Sequence, residues 1–590
     1  MNAADLIAEF LLRLGVRHAF GVGGANIEDL FAAVQRRRPR LTAVLCKHEH
    51  AAGTAADAYA RLSGGLGVVL VTSGGGAMNL VHALAEARAS RVPLLALVGE
   101  PPIAQQGHGA FQDTSGQGGS IDAYSIFHAL TPDCIRIREP RELLAWLAHV
   151  GSIPIADWTG PRVLLLAKDI QRAEIVPPPC FFERVHAHAR RAAASPMTEL
   201  ARLLAQPPVT VIAGAEVARQ GAQTELARLV RRLDARVTVA PDARDAFAND
   251  DPRFAGVVGA MGHASATRAL AEARSILLVG TRLPVLERLG LEACLSDKNV
   301  ACLGREAPFV ECATWIDCGG NLAAELGALC AELAPAPAAG SEPASARSAT
   351  PPAASSLAAR PSSALDSRTA LELLAGSVPE GATVLVDAGN AGASAVHYLR
   401  APRRGRWLLA MGMAGMGYSY GAAIGAAFAT GRRVFVVSGD GAFFMHGLEV
   451  HTAVEHDLPI TYLVLDNAAH GMCLVREQLL LGESSGYNVF RRSRLGAGLA
   501  AMFPGLTAFD CCSAEQLEQA LAQCRELAGP CLLSVRLPEV EVPPFAAFER
   551  ARALGVTSVA RGNERQRAEP MRAENKRAQS RRAQSSGAGR

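Results

Sequence analysis

The chain has 590 residues, about half of them apolar and few aromatic, and a formal net charge of +3. That length suggests about three or four domains with large aliphatic cores, and no apolar run reaches the length of a membrane span. The charge is uneven: residues 561–590 hold nine basic and three acidic side chains, leaving the rest at −3 and without a basic surface for nucleic acid.

Thirteen cysteines, odd in number and without a CxxC pair, point to reduced thiols and a cytoplasmic location rather than a disulfide framework. The start, MNAADLIAEFLLRLG, lacks the basic residues and the cleavage site of a signal peptide. Residues 1–180 alternate apolar runs (HAFGV, LTAVL, GVVLVTSG, PLLALVG, RVLLLA) with helical stretches, which predicts a doubly wound parallel sheet. Residues 190–335 repeat the pattern with PVTVIAG, ARVTVAP, SILLVG and NVACLG. Residues 336–364, rich in Ala, Pro and Ser, read as a flexible linker. A third α/β unit is expected over 365–545, from TVLVDAG, RVFVVSG, ITYLVLD and PCLLSVR, and a disordered basic tail over 546–590.

The third unit carries the sharpest chemistry. Val434 to Val437 is an apolar run that breaks at Gly439-Asp440-Gly441. Ala442 to His456 reads as helix and Ile460 to Leu465 as a buried strand ending at Asp466-Asn467. A strand, a glycine turn and a helix present backbone N–H groups to a phosphate. Asp440 is then a carboxylate beside a phosphate, which calls for a cation, and Asn467 ends the next parallel strand with a second oxygen. Mg²⁺ takes this mixture of one or two protein groups and phosphate oxygens. Read alone, GDG is also an ordinary turn.

GDG with an asparagine 27 positions after its aspartate resembles the thiamine-diphosphate motif. Three α/β units with that motif in the third resemble the acetolactate synthase-like branch of the thiamine-diphosphate enzymes. The resemblance covers residues 1 to about 540 and implies an α/β chain of three doubly wound parallel-sheet domains: pyrimidine-binding, central and diphosphate-binding. It implies thiamine diphosphate and Mg²⁺ as cofactors. Asp440, Asn467 and the carbonyl of Ala469 would hold the metal, and Gly439, Gly441, Ala442, Gly471 and Met472 would lie along the cofactor. In GMAGMGYSYGAAIGA, Met416 falls on the apolar residue that props the bent cofactor, and Ala414 on the carbonyl that meets its amino group.

In the first unit, Glu49 opens KHEHAAGTAADAYARLSG and matches the family's catalytic glutamate, which hydrogen-bonds N1′ of the aminopyrimidine; Tyr59-Ala60-Arg61 matches further on. Without the resemblance, Glu49 is a helix N-terminal carboxylate complementing the dipole. Its neighbours His48 and His50 lack the i, i+4 spacing of a zinc pair. Thr72-Ser73-Gly74-Gly75-Gly76 with Asn79 resembles TSGPGxxN, and Gly23 lies in a stretch resembling GVPG; both carry glycine for proline. Ala110-Phe111-Gln112 resembles the Ala-Phe-Gln that faces the active site of acetolactate synthases. The implied reaction is ylid attack on a 2-keto acid, loss of CO₂, then aldehyde release or ligation to an acceptor. The implied partners are that acid and a second copy of the chain, with active sites at the subunit interface of a dimer or tetramer.

Several positions depart from the branch. Asn390, in Asp387-Ala388-Gly389-Asn390, stands where a Gln-His pair is expected, the lysine after Gln112 is missing, and Arg476 replaces a substrate-selecting tryptophan. GVVGAMGHASA is only loosely like the segment that binds FAD. The alternative is a non-catalytic paralogue serving as a regulatory or assembly subunit; intact Glu49, Asp440 and Asn467 speak for the enzyme.

Overall fold

The computed structural model describes residues 1–179, 181–185, 197–333, 365–482 and 484–548. The expected linker at 336–364 and tail beyond 548 lie outside those residues.

The apolar runs become the inner strands of three parallel sheets. The first comprises β1 (His18–Gly21), β2 (Thr42–Leu45), β3 (Gly67–Val71), β4 (Leu94–Glu100), β5 (Cys134–Ile137) and β6 (Pro161–Ala167), in the order β2-β1-β3-β4-β6-β5. The second comprises β7 (Val209–Ala213), β8 (Arg236–Val239), β9 (Phe254–Val257), β10 (Ser275–Val279), β11 (Asn299–Gly304) and β12 (Thr314–Asp317), in the order β12-β11-β10-β7-β8-β9. The third comprises β13 (Thr383–Val386), β14 (Arg406–Leu409), β15 (Val434–Gly439), β16 (Ile460–Asp466), β17 (Thr507–Cys511) and β18 (Cys531–Arg536), in the order β14-β13-β15-β16-β18-β17. Strands buried on both faces, such as β3, β4 and β16, are continuous aliphatic runs because helices cover both sides.

In each unit the strand order reverses beside the first strand, and the strand C-termini at that reversal form the crevice where open α/β sheets bind ligands. In the third unit the reversal lies between β13 and β15, so Asp387–Asn390 and Gly439–Asp440 share one edge. In the first unit it lies between β1 and β3, which brings together the turns after Gly21 and Val71.

The helix Glu49–Ser63 of the first unit packs directly against Tyr418–Thr430 of the third. Small residues make this possible: the Cβ that Gly425 lacks would stand 1.9 Å from Ala55 O. Asp57, Arg61 and Glu86 form a buried ion-paired cluster, with Arg61 Nε 2.6 Å from Asp57 and Arg61 Nη2 3.1 Å from Glu86. The Tyr418 hydroxyl donates to Asp57, and Glu86 accepts the N–H of Gly412 and Met413.

Two expectations need correction. The helix after GDG is broken: Asp440–His446 ends in a 3₁₀ turn, Gly447–Glu449, and Val450–Glu455 follows. The Phe443 ring lies against Gly447, 2.2 Å from where a Cβ would be. The tail begins later than residue 546, because Ala546 donates to Ala260 O and Phe548 is buried.

Candidate active site

A cavity of about 270 Å³ opens at the β13/β15 crevice, and every residue lining it belongs to the third unit. Asp440, 1% exposed, accepts Gly441 N–H at 3.0 Å on Oδ1 and Ala468 N–H at 2.7 Å on Oδ2. Ala468 takes φ +55°, a backbone strain that aims its N–H at Asp440. No cation pairs with Asp440 among the described residues; burial, then the charge of Asp466, pushes its carboxyl up to about 7.

Asn467 donates Nδ2 to Glu539 O at 3.1 Å, which fixes its amide and leaves Oδ1 for another partner. Asn390 is held the same way by Glu541 O at 3.2 Å, and its buried Oδ1 has no partner. Gly471 is required between them, since a Cβ there would stand 2.7 Å from Asn467 Nδ2 and 2.8 Å from Asn390 Nδ2. Ala442, Ala469, Met472 and Met416 also line the cavity.

These donors are one anionic carboxylate, amide oxygens and a carbonyl, all hard oxygen ligands. Such a set suits a magnesium-sized cation that brings further oxygens from a bound diphosphate. An uncompensated buried carboxylate and an orphaned amide oxygen in one cavity fit a Mg²⁺–diphosphate pair.

The first unit gathers a second group. Glu49, at the start of its helix and 9% exposed, accepts Asn79 Nδ2 at 2.9 Å on Oε2. Gly76 leaves room for the other oxygen: a Cβ there would lie 3.0 Å from Glu49 Oε1 and from Thr72 Cγ2. Gly24 packs on Thr72, while Gly23 has nothing within 4 Å of where a Cβ would stand. Gln112, at φ +57°, rests on Gly74, and Phe111 is 76% exposed. Glu49, Thr72, Asn79, Gly23 and Gln112 thus belong to one neighbourhood.

Two expected residues of the third unit lie outside the lining of this cavity. Arg476 is the exposed last residue of the helix Gly471–Arg476; Met472 and Cys473 face the cavity, and Arg476 sits one turn, roughly 6 Å, further along. Ala414, at φ +52°, is exposed and outside the cavity lining, two residues before Met416. In the segment 256–266, His263 Nδ1 accepts Val257 N–H at 2.9 Å and the His263 ring stacks on His397 at 4.5 Å.

Sequence reasoning missed Asp387, whose buried carboxylate accepts the N–H of Gly417 and Ser419 at 2.9 Å and so anchors the Met416 loop. It missed His470 and Met445 in the cavity wall, and the strap of Leu537 and Glu541 that closes one side. Only the DAGN stretch signalled any of these.

Residues 1–119 match the family Thiamine pyrophosphate enzyme, N-terminal TPP binding domain, residues 198–300 the central domain, and residues 387–535 the C-terminal TPP binding domain. The chain is 26% identical over 578 residues to the probable acetolactate synthase large subunit of Methanocaldococcus jannaschii, covering 92% of this chain and 93% of that protein. It is 27% identical to the acetolactate synthase isozyme 2 large subunit of Escherichia coli, covering 93% and 98%, and 26% identical to the isozyme 1 large subunit, covering 92% and 96%. Decarboxylase or carboligase chemistry accompanies those domains. With three matching domains in this order and similarity along nearly its whole length, the chain belongs to the thiamine pyrophosphate enzymes, in their acetolactate synthase-like branch.

Proposed function

We propose that this chain decarboxylates a 2-keto acid and either releases an aldehyde or joins the fragment to an acceptor. In this reading Asp440, Asn467 and Ala469 O hold Mg²⁺, while Gly441 and Ala442 meet the diphosphate at the end of β15. Met416 carries the thiazolium, and Asp387 fixes the loop that presents it. Glu49 exchanges a proton with N1′ of the aminopyrimidine, and Asn79 holds the other carboxylate oxygen in place. Thiamine diphosphate, when bound, supplies the nucleophilic carbon and the electron sink that decarboxylation needs. Phe111 and Gln112, whose turn rests on Gly74, would meet substrate. FAD is not part of this proposal.

The observation that carries the reading is the division of the site. The diphosphate cavity contains no residue of the first unit, and Glu49 has no place in its wall. We read a cofactor touching both as bridging this cavity and the first unit of a second copy. Phe444, Met445 and Leu448, all about half exposed just after GDG, are an apolar surface suited to that copy. The working form in this reading is a homodimer or a homotetramer in the cytoplasm. No helix among the described residues is long and apolar enough to cross a membrane.

Mixing two inactive variants, Glu49→Gln and Asp440→Ala, tests this. Hybrid dimers contain one site with both residues intact, so CO₂ release from a 2-keto acid should return on mixing and subunit exchange. Hybrids that form and stay inactive would refute a shared site.

A further inference from the structure

We propose that the cleft between the first and central units binds a small dianion, either a dicarboxylate or a phosphate. We also propose that its occupancy is coupled to the loop that carries Met416; this second part rests on the cofactor reading above.

The cleft encloses about 170 Å³ and is lined by Arg61 and Arg91 of the first unit and Arg219 and Arg305 of the central unit, against one carboxylate, Glu216. Three of the guanidiniums have acidic partners. Arg61 pairs with Asp57 and Glu86, Arg91 with Glu306 at 2.6 Å and Glu216 at 3.7 Å, and Arg305 with Asp157 at 3.6 Å. Arg219 has no ion-pair partner among the described residues, and its hydrogen bond goes to a backbone carbonyl, Ser90 O, at 2.7 Å. Burial and then the nearby charge of Arg61 push the Arg219 guanidinium below the usual arginine range, against the pull of Glu216, Asp242 and Asp57, none of which forms an ion pair with it among the described residues. A cation left this way is stabilised by an anion, and a guanidinium grips carboxylate or phosphate with two parallel hydrogen bonds.

An independent observation points to the same ligand. Trp158 lines the cleft, is 1% exposed, and its Nε1–H has no acceptor. An indole N–H only donates, so an oxyanion satisfies it. Size narrows the class: the volume holds about six to eight non-hydrogen atoms, judged against cavities that take one benzene. It is well below the roughly 300–1,000 Å³ of sites for larger ligands.

The route to the active site is short. Arg61, in the cleft wall, pairs with Glu86 at 3.1 Å, and Glu86 accepts Gly412 N–H at 3.3 Å and Met413 N–H at 2.6 Å. A dianion drawing on Arg61 changes its hold on Glu86, and so on the segment leading to Met416. Such coupling is reciprocal: the dianion changes cofactor affinity by the factor by which cofactor changes dianion affinity.

Calorimetric titration tests the site on the holoenzyme, saturated with thiamine diphosphate and Mg²⁺ so that the third-unit cavity is filled. Inorganic phosphate and succinate are added separately; one site per chain is expected for at least one of them, and which one binds identifies the source. Arg219→Gln should weaken that binding about tenfold or more, as loss of a bidentate contact implies. Absence of binding at millimolar concentration, or equal binding by Arg219→Gln, overturns the site. Tryptophan fluorescence gives a second readout that does not depend on that variant: the dianion should change the emission, and Trp158→Phe should abolish the change. A change persisting in Trp158→Phe places the ligand elsewhere and overturns the proposal. Coupling is read as a shift in thiamine-diphosphate affinity caused by the dianion in the wild type and missing in Arg219→Gln; no shift overturns that half. If thiamine diphosphate fails to bind at all, the cofactor reading falls, while the holoenzyme titration is replaced by the same titration of the bare chain and the site stands or falls on it.

Discussion

The first and third units share one strand order, yet their crevices have opposite character. The third unit opens a cavity around Asp440, whose carboxylate accepts two backbone N–H groups. The first unit closes its crevice around Glu49, with Asn79 on one oxygen and Gly76 and Thr72 against the other. The same topology thus yields a receptacle in one unit and a poised carboxylate in the other. The difference lies in a few side chains at the strand ends, since the sheets beneath are alike.

That contrast is broken most severely at Asp440. Asp440→Ala should weaken thiamine-diphosphate binding by more than about 100-fold, because even the outer partners of a metal site are worth 10–100-fold. Calorimetry with Mg²⁺ present measures it, and undiminished affinity would remove Asp440 from the site. Glu49→Gln should leave affinity intact and lower turnover by about 10²–10⁴-fold, the range for a general acid–base group. Proton–deuterium exchange at C2, followed by NMR, should slow in parallel; normal exchange would deny Glu49 its role. Asn79→Ala should act in the same direction and less strongly. It removes one hydrogen bond to a charged group, about 1.5–3 kcal/mol, which corresponds to roughly ten- to a hundredfold in kcat with cofactor affinity kept.

The smallest effect concerns the seam between the two units. His50 is buried between His82 at 4.6 Å and His446 at 4.2 Å, and neither ring nitrogen has a partner. Burial, then the charges of His446 and His82, hold its pKa down to about 2, against 6.5 for a free histidine. The unfolded chain therefore takes up a proton below pH 6.5 that the folded chain refuses. Stability from the neutral ring is full above that pH and declines toward pH 2, by up to about 1.4 kcal/mol per pH unit. Urea unfolding at pH 7.5 and 5.5 should show a smaller loss for His50→Gln than for the wild type. Equal losses would mean that His50 is protonated in the folded chain.

Much of this was legible in the residues. The runs around β3, β4, β15 and β16 are continuous because both faces are buried, and the spacing of Asp440 and Asn467 reflects two neighbouring strands with a helix between them. Two edge strands were not legible. β12 alternates half-buried and exposed residues, and β17 is half-buried along most of its length, so neither forms an apolar run. Asp387 and the strap at Glu539 and Glu541 were missed for another reason. Their roles consist of hydrogen bonds to residues 30 to 151 positions away, which no local pattern encodes. Arg476 was assigned by alignment alone, and alignment does not show where the helix Gly471–Arg476 carries it relative to the cavity wall.

The buried cluster at Asp57 has a consequence in time. The Tyr418 hydroxyl that completes it lies 361 residues down the chain. At about 5–20 residues per second, a ribosome needs roughly 20–70 s to deliver that partner after Asp57 emerges. Arg61, one turn away on the same helix, and Glu86, 25 residues beyond it, arrive almost at once. The nascent first unit can therefore pair its own charges while it waits, with the helix face that will meet Tyr418–Thr430 still uncovered. A chaperone acting on this chain during synthesis would find its target there, on the small-residue face of Glu49–Ser63, until the third unit docks.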